Sequence, residues 1–152
     1  MQKGSPTDYN HLPVVAFFYL SMKAVPSNGR VMRILIVEDH PQMRYMIRAV
    51  VEDLSEAVIE CADGAEAAAM YTSMQFTSED RVLMDLQMPG VDGLEATRRI
   101  RATFPDAQII IVTQYGDAQL RAAATEAGAC SYLLKGNLLD LRRILKKPPV
   151  TS

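Results

Sequence analysis

Five short, largely aliphatic runs set the strongest limit on what this chain can fold into: R-I-L-I-V from Arg33, A-V-I-E-C from Ala57, R-V-L-M from Arg81, A-Q-I-I-I-V from Ala107 and C-S-Y-L-L from Cys130. Runs with so little polar interruption suit strands covered on both faces, as in a parallel sheet, rather than strands with one face in water. Helical patterns fill the gaps between them. Pro41 stands in a favoured first-turn position, and Met43, Met46, Ile47, Val50, Val51 and Leu54 recur at helical spacing behind it. Asp63 with Glu66 has the form of a capping box opening an Ala-rich helix to about Met74. A third helix restarts near Asp92, with Leu94, Thr97, Ile100 and Phe104 on one side and Glu95, Arg98, Arg99 and Arg101 as a solvated face. Gly116 to Ala127 reads as a fourth helix, stopped by Gly128. Asn137, with Asp140 three residues later, is placed to cap a fifth, whose Arg142, Arg143, Lys146 and Lys147 suit its negative end before Pro148-Pro149. Strand and helix alternating five times imply an α/β domain: a parallel sheet with helices on both faces and right-handed crossovers.

The chain divides into an extension at 1–31, a domain at 32–147 and a tail at 148–152. In the extension, Pro6, Pro13, Pro26 and several Ser and Gly surround an apolar stretch from Leu12 to Leu20 with no clear period. That stretch is shorter than the roughly 20 residues a membrane span needs, and Lys3 ahead of it only imitates a signal peptide. The expectation is a loosely ordered extension, or a start codon placed too early, because Met32 directly precedes the first strand. A net charge of −2 gives no broad basic field, which argues against direct binding of nucleic acid. Cys61 and Cys130 stand apart, each inside an apolar run, which predicts reduced core thiols and a reducing, cytoplasmic setting. His11 and His40 are isolated, without metal-ligand spacing.

The carboxyl ends of parallel strands form the crevice where ligands sit. Collected there are Glu38 and Asp39 from the first strand, Asp85 from the third, Thr113 from the fourth and Lys135 from the fifth. Two like charges about 4 Å apart repel by on the order of 4 kcal/mol at an effective dielectric near 20, so three gathered carboxylates call for a cation. Hard oxygen ligands in small number select Mg²⁺, which in turn favours phosphate oxygens. A carboxylate can attack phosphorus to give an aspartyl phosphate, which makes Asp85 the candidate nucleophile and Lys135 its counter-charge.

These residues resemble a response-regulator receiver domain, the CheY-like module of two-component signalling. The resemblance runs from about Met32 to Lys147 and rests on four pieces in order: Glu38-Asp39 after I-L-I-V, M-D-L-Q-M-P-G-V-D-G around Asp85, Thr113 after I-I-V, and Y-L-L-K ending at Lys135. It implies a flavodoxin-like three-layer sandwich with strand order 2-1-3-4-5. It also implies a stand-alone phosphoacceptor rather than an enzyme, limited to self-phosphorylation from small donors and autodephosphorylation. The implied partners are a sensor histidine kinase or phosphotransfer protein and an effector protein on the helix 4, strand 5, helix 5 face, with room for a homodimer and no membrane. Asp85 would accept the phosphoryl group; Glu38, Asp39, Asp85 and the Gln87 carbonyl would organise Mg²⁺; Lys135 would pair with the phosphoryl group; Thr113 and Tyr132 would form the switch. Two positions depart from the family pattern. Gln114 replaces a small residue after Thr113, which is expected to narrow access to the phosphoryl group and change its rate of loss, and Gly136 replaces a frequent proline, so no cis peptide is expected there.

Other readings fit less well. A haloacid-dehalogenase-type phosphohydrolase would want a second Asp where Gln87 stands, and a nucleotide-binding module would want a glycine-rich or Walker motif after the first strand. A receiver fold used without phosphorylation would not require the full set of acids.

Overall fold

The computed structural model describes residues 32–151. The expectations for the extension, including its apolar stretch and His11, lie outside the described residues. Five strands form one parallel sheet in the order 2-1-3-4-5: β1 (Arg33–Val37), β2 (Ala57–Cys61), β3 (Arg81–Met84), β4 (Ile109–Thr113) and β5 (Ser131–Leu134). The helices are α1 (Pro41–Val51), α2 (Gly64–Ser73), α3 (Gly93–Thr103), α4 (Ala118–Ala127) and α5 (Asp140–Leu145).

The aliphatic runs explain the layers. Alternate side chains of a strand point to opposite faces, and here both faces are apolar. Leu35 and Val37 join one buried cluster with Ala67, Met70, Tyr71, Ala96, Ile100 and Ala124, which belong to α2, α3 and α4. Ile34 and Ile36 join the other, with Ile47, Val51, Leu141 and Leu145 of α1 and α5. Two helices therefore cover one face and three the other. The chain leaves β1 for β2 on one side and then crosses to β3 on the other, so the switch point of the sheet falls between the carboxyl ends of β1 and β3.

Aspartate side chains cap three helix starts, the one at Asp63 as read from the sequence. Asp63, Asp92 and Asp117 each accept a hydrogen bond from the backbone N–H three residues on, at 2.8 to 2.9 Å. Gly128 ends α4 with φ +104°, a left-handed conformation that only glycine adopts without strain. The fourth helix begins at Ala118 rather than Gly116 because Asp117 is its cap. The first helix gives way after Val51 to a short 3₁₀ turn, Glu52–Leu54. The expected cap at Asn137 is not formed. Residues Lys135–Asn137 make a 3₁₀ turn instead, and α5 starts at Asp140 after Leu139, with no side-chain cap. Burial of Leu138, Leu141 and Leu145 against the sheet sets that start, and hydrophobic pinning outweighs a cap worth about 1 kcal/mol.

Three buried polar clamps at the opposite end of the sheet have no simple sequence signature. Asp80, 3% exposed, accepts bonds from the Arg33 backbone N–H (2.9 Å), its guanidinium (2.8 and 3.2 Å) and the Thr77 N–H (2.8 Å). The buried Gln108 amide exchanges two 2.8 Å bonds with the backbone of Val150, tying down the segment after α5. Arg81, also buried, donates to the carbonyls of Ser78, Glu79, Asp80 and Lys147. Cys61 is buried and Cys130 half-buried, both as free thiols, and burial pushes both pKa values up. Such thiols remain protonated and unreactive at neutral pH.

Candidate functional site

Strand register places the acids. Val37 pairs with Met84, so the next residues, Glu38 and Asp85, leave adjacent strands side by side, and the Asp85 N–H donates to the Val37 carbonyl at 2.9 Å. Oxygens of Glu38, Asp39 and Asp85 all lie within 4.8 Å of one another. Across β4, Thr113 pairs with Leu134, which sets Lys135 at the same edge. Its ammonium lies 2.7 Å from Glu38 Oε2 and 3.3 Å from Asp85 Oδ1. The five strand-end residues read from the sequence thus arrive at one edge of the sheet.

Glu38 is 1% exposed and Asp85 6%. Burial, and then the negative charge of Glu38, push the Asp85 carboxyl up to about 6, against the opposing pull of Lys135. Desolvation pulls the Lys135 ammonium down, but Glu38 and Asp85 together outweigh it and push the pKa up. One lysine does not satisfy this pocket: Glu38 Oε2 has Lys135 as an ion partner but accepts no hydrogen bond of ordinary geometry. A buried, under-coordinated carboxylate oxygen beside two others is a donor set suited to a metal ion with a preference for hard oxygen ligands.

The acids open into a cavity of about 190 Å³ whose lining also includes His40, Gln87, Gln114, Tyr115 and Lys135. Thr113 is not part of that lining. Its side chain is fully buried, and its Oγ1 accepts from the Tyr115 N–H at 3.3 Å. Tyr132 is half-buried beneath the Arg121 guanidinium, 4.5 Å from the ring centre, and its hydroxyl donates to the Tyr115 carbonyl at 2.6 Å. Tyr115 therefore connects the two residues expected to form a switch. The sequence reading missed it: an aromatic two residues past a strand end carries no signal of its own.

The loop between Asp85 and α3 is fixed by close approach. The Gly93 N–H donates to the Leu86 carbonyl at 3.0 Å, and a Cβ at Gly93 would run into the Asp85 carbonyl oxygen. This accounts for a glycine at the end of the P-G-V-D-G turn. Among the described residues there is no cis peptide, the bond to Gly136 included.

Residues 34–147 match the family model described as the response regulator receiver domain. The chain belongs to this family. Receiver domains are signalling modules, and known members lie close in both sequence and shape. The response regulator UvrY of Escherichia coli K12 is 39% identical over 105 residues, which cover 68% of this chain and 47% of UvrY. A LuxR-family two-component response regulator from Aurantimonas sp. SI85-9A1 superposes with a TM-score of 0.66 at 33% identity, covering 79% of this chain and 89% of that one. A CheY-like receiver domain protein from Methanospirillum hungatei JF-1 gives a TM-score of 0.69 at 26% identity, covering 76% and 91%. The chain spans about half the length of the curated relatives it matches. No helix among the described residues is long and apolar enough to cross a membrane.

Proposed function

We propose that this receiver takes a phosphoryl group on Asp85 from a histidine kinase or phosphotransfer protein and signals the change to an effector protein. The observation that carries the reading is the gathering of three carboxylates within 4.8 Å, one of them 3.3 Å from a lysine ammonium, at the switch point of the sheet. Glu38, Asp39, Asp85 and the Gln87 backbone carbonyl would hold Mg²⁺, which offsets charge on phosphoryl oxygens when bound. Asp85 Oδ attacks phosphorus, and the bond from phosphorus to the donor breaks as the donor leaves. Lys135 then shifts from its carboxylate partners toward the new phosphoryl oxygens.

An aspartyl phosphate adds negative charge and acceptor oxygens beside β4. The Thr113 hydroxyl, which now accepts from Tyr115, can turn to donate to them, and the 113–116 loop loses one of its ties. Tyr132 holds the same loop by its hydroxyl, so a moved loop frees Tyr132 to change rotamer. The readout falls on α4, β5 and α5. It is a shift between two populations, set by how much better one of them contacts the phosphoryl group.

Incubation with acetyl phosphate, with and without Mg²⁺, followed by intact mass measurement tests the reading. One added phosphoryl group that requires Mg²⁺ is expected. An unchanged mass in its presence overturns the reading.

A further inference from the structure

The loop from β1 to α1 carries two of the three acids, yet it lacks the capping side chain that fixes the starts of α2, α3 and α4. Its cap position is His40, with no side-chain hydrogen bond, and Pro41 follows. The loop is tied down instead by an arginine one turn into α1. Arg44 Nη1 donates to the Glu38 carbonyl at 2.7 Å and, less closely, to the Asp39 carbonyl at 3.4 Å. Those two carbonyls belong to the peptide planes on either side of the Asp39 Cα. One guanidinium nitrogen therefore holds both planes, and with them the direction in which the Asp39 side chain leaves the backbone. Glu38 is held at further points: its N–H donates to the Cys61 carbonyl of β2 at 3.1 Å, and its Oε1 accepts from the His40 N–H at 3.1 Å. Arg44 has its own brace. Glu60 stands on the face of β2 that α1 covers, with a carboxylate oxygen 3.9 Å from Arg44 Nε and the other 3.0 Å from Arg48 Nη1.

We propose that Arg44, braced by Glu60, is a positioning residue that holds Glu38 and Asp39 in the arrangement that takes Mg²⁺. This rests on the metal part of the phosphoacceptor reading. Gathered carboxylates repel, and of the three Asp39 is the one with access to water, so an unrestrained loop relaxes by turning Asp39 outward. Arg44 removes that freedom before an ion arrives, so less ordering is left for binding to impose. Its contacts are to backbone carbonyls rather than to the reacting atoms. The effect therefore belongs to metal affinity, and the transfer step is untouched once the ion is bound.

The test titrates Mg²⁺ into the full chain by isothermal calorimetry without phosphodonor, comparing wild type, Arg44→Met, Arg44→Lys and Arg142→Met. Arg142 makes a like tie at the other end of α1, from Nη1 to the Val50 carbonyl at 2.9 Å. Arg44→Met is expected to bind Mg²⁺ about tenfold more weakly, the low end for loss of a group that orients metal ligands. Arg44→Lys, which keeps the charge and a donor, falls between that variant and wild type. Arg142→Met lowers the urea midpoint and binds Mg²⁺ as wild type does. Uptake from acetyl phosphate by Arg44→Met recovers to within about twofold of wild type at saturating Mg²⁺. Unchanged affinity in Arg44→Met, equal weakening in Arg142→Met, or a deficit in uptake that excess Mg²⁺ does not restore overturns the positioning role. Wild type that binds no Mg²⁺ overturns the metal reading, and the role of Arg44 falls with it. Wild type that binds Mg²⁺ but gains no phosphoryl group overturns phosphotransfer alone, and the comparison of affinities still decides the role of Arg44.

Discussion

The Lys135 ammonium sits closer to Glu38, at 2.7 Å, than to Asp85, at 3.3 Å. In this state the lysine offsets a buried carboxylate whose Oε1 accepts only the His40 N–H, at 3.1 Å, and whose Oε2 is left to the ammonium, so the lysine is held in place before any phosphoryl group arrives. Its removal should therefore cost transition-state charge stabilisation. Lys135→Met, which keeps most of the volume, is expected to slow phosphoryl uptake about 100-fold, in the range for loss of one preorganised charge contact. Initial rates of mass gain check this, and a loss under threefold would contradict it.

The same pocket predicts an unusual dependence of stability on pH in protein freed of metal by a chelator. Asp85 has a folded pKa raised to about 6, above an unfolded value near 3.9. The folded state then binds more protons than the unfolded state between these values, so this group's contribution is fully present below about pH 4 and is lost as pH rises through about 6. The loss is at most about 3 kcal/mol. Urea unfolding should find Asp85→Asn more stable than wild type at pH 7.5, with the gap closing toward pH 4. A constant gap would show that Asp85 ionises freely in the fold.

Gly93 is held against the backbone of the proposed phosphoacceptor. Gly93→Ala forces the start of α3 away from the Asp85 carbonyl. A loss of about 1–3 kcal/mol is expected, as for other overpacked sites, together with slower uptake. Denaturation and mass gain measured on the same preparation separate the two effects.

Stability at the other end of the sheet depends on Asp80. Asp80→Ala leaves the Arg33 guanidinium without its carboxylate and two backbone N–H groups without their acceptor. The expected cost is about 3–5 kcal/mol in urea, with phosphoryl uptake by the folded fraction unchanged.

These predictions draw unequally on what the sequence makes legible. Parallel strands are readable because both faces are buried, so the run from Ile34 to Val37 admits few other states. Strand-end residues then fall into one crevice by topology alone, which is why Glu38, Asp39, Asp85, Thr113 and Lys135 can be named in advance. Asp80 could not: its partner Arg33 is 47 residues away, and no local pattern encodes the pairing. Tyr115 was invisible because its role comes from the loop after β4 meeting β5 through Tyr132. The Asn137 cap failed for a related reason, since long-range burial of Leu138 and Leu141 overrode a local capping signal.

The central claim concerns one oxygen on one side chain. Wild type and Asp85→Asn should be treated with acetyl phosphate and Mg²⁺, reduced with borohydride to mark any acyl phosphate, and mapped by peptide mass. The account predicts a single marked site, Asp85, in wild type and none in Asp85→Asn. A phosphoryl group retained by Asp85→Asn, or a mark on any other residue of wild type, would contradict it.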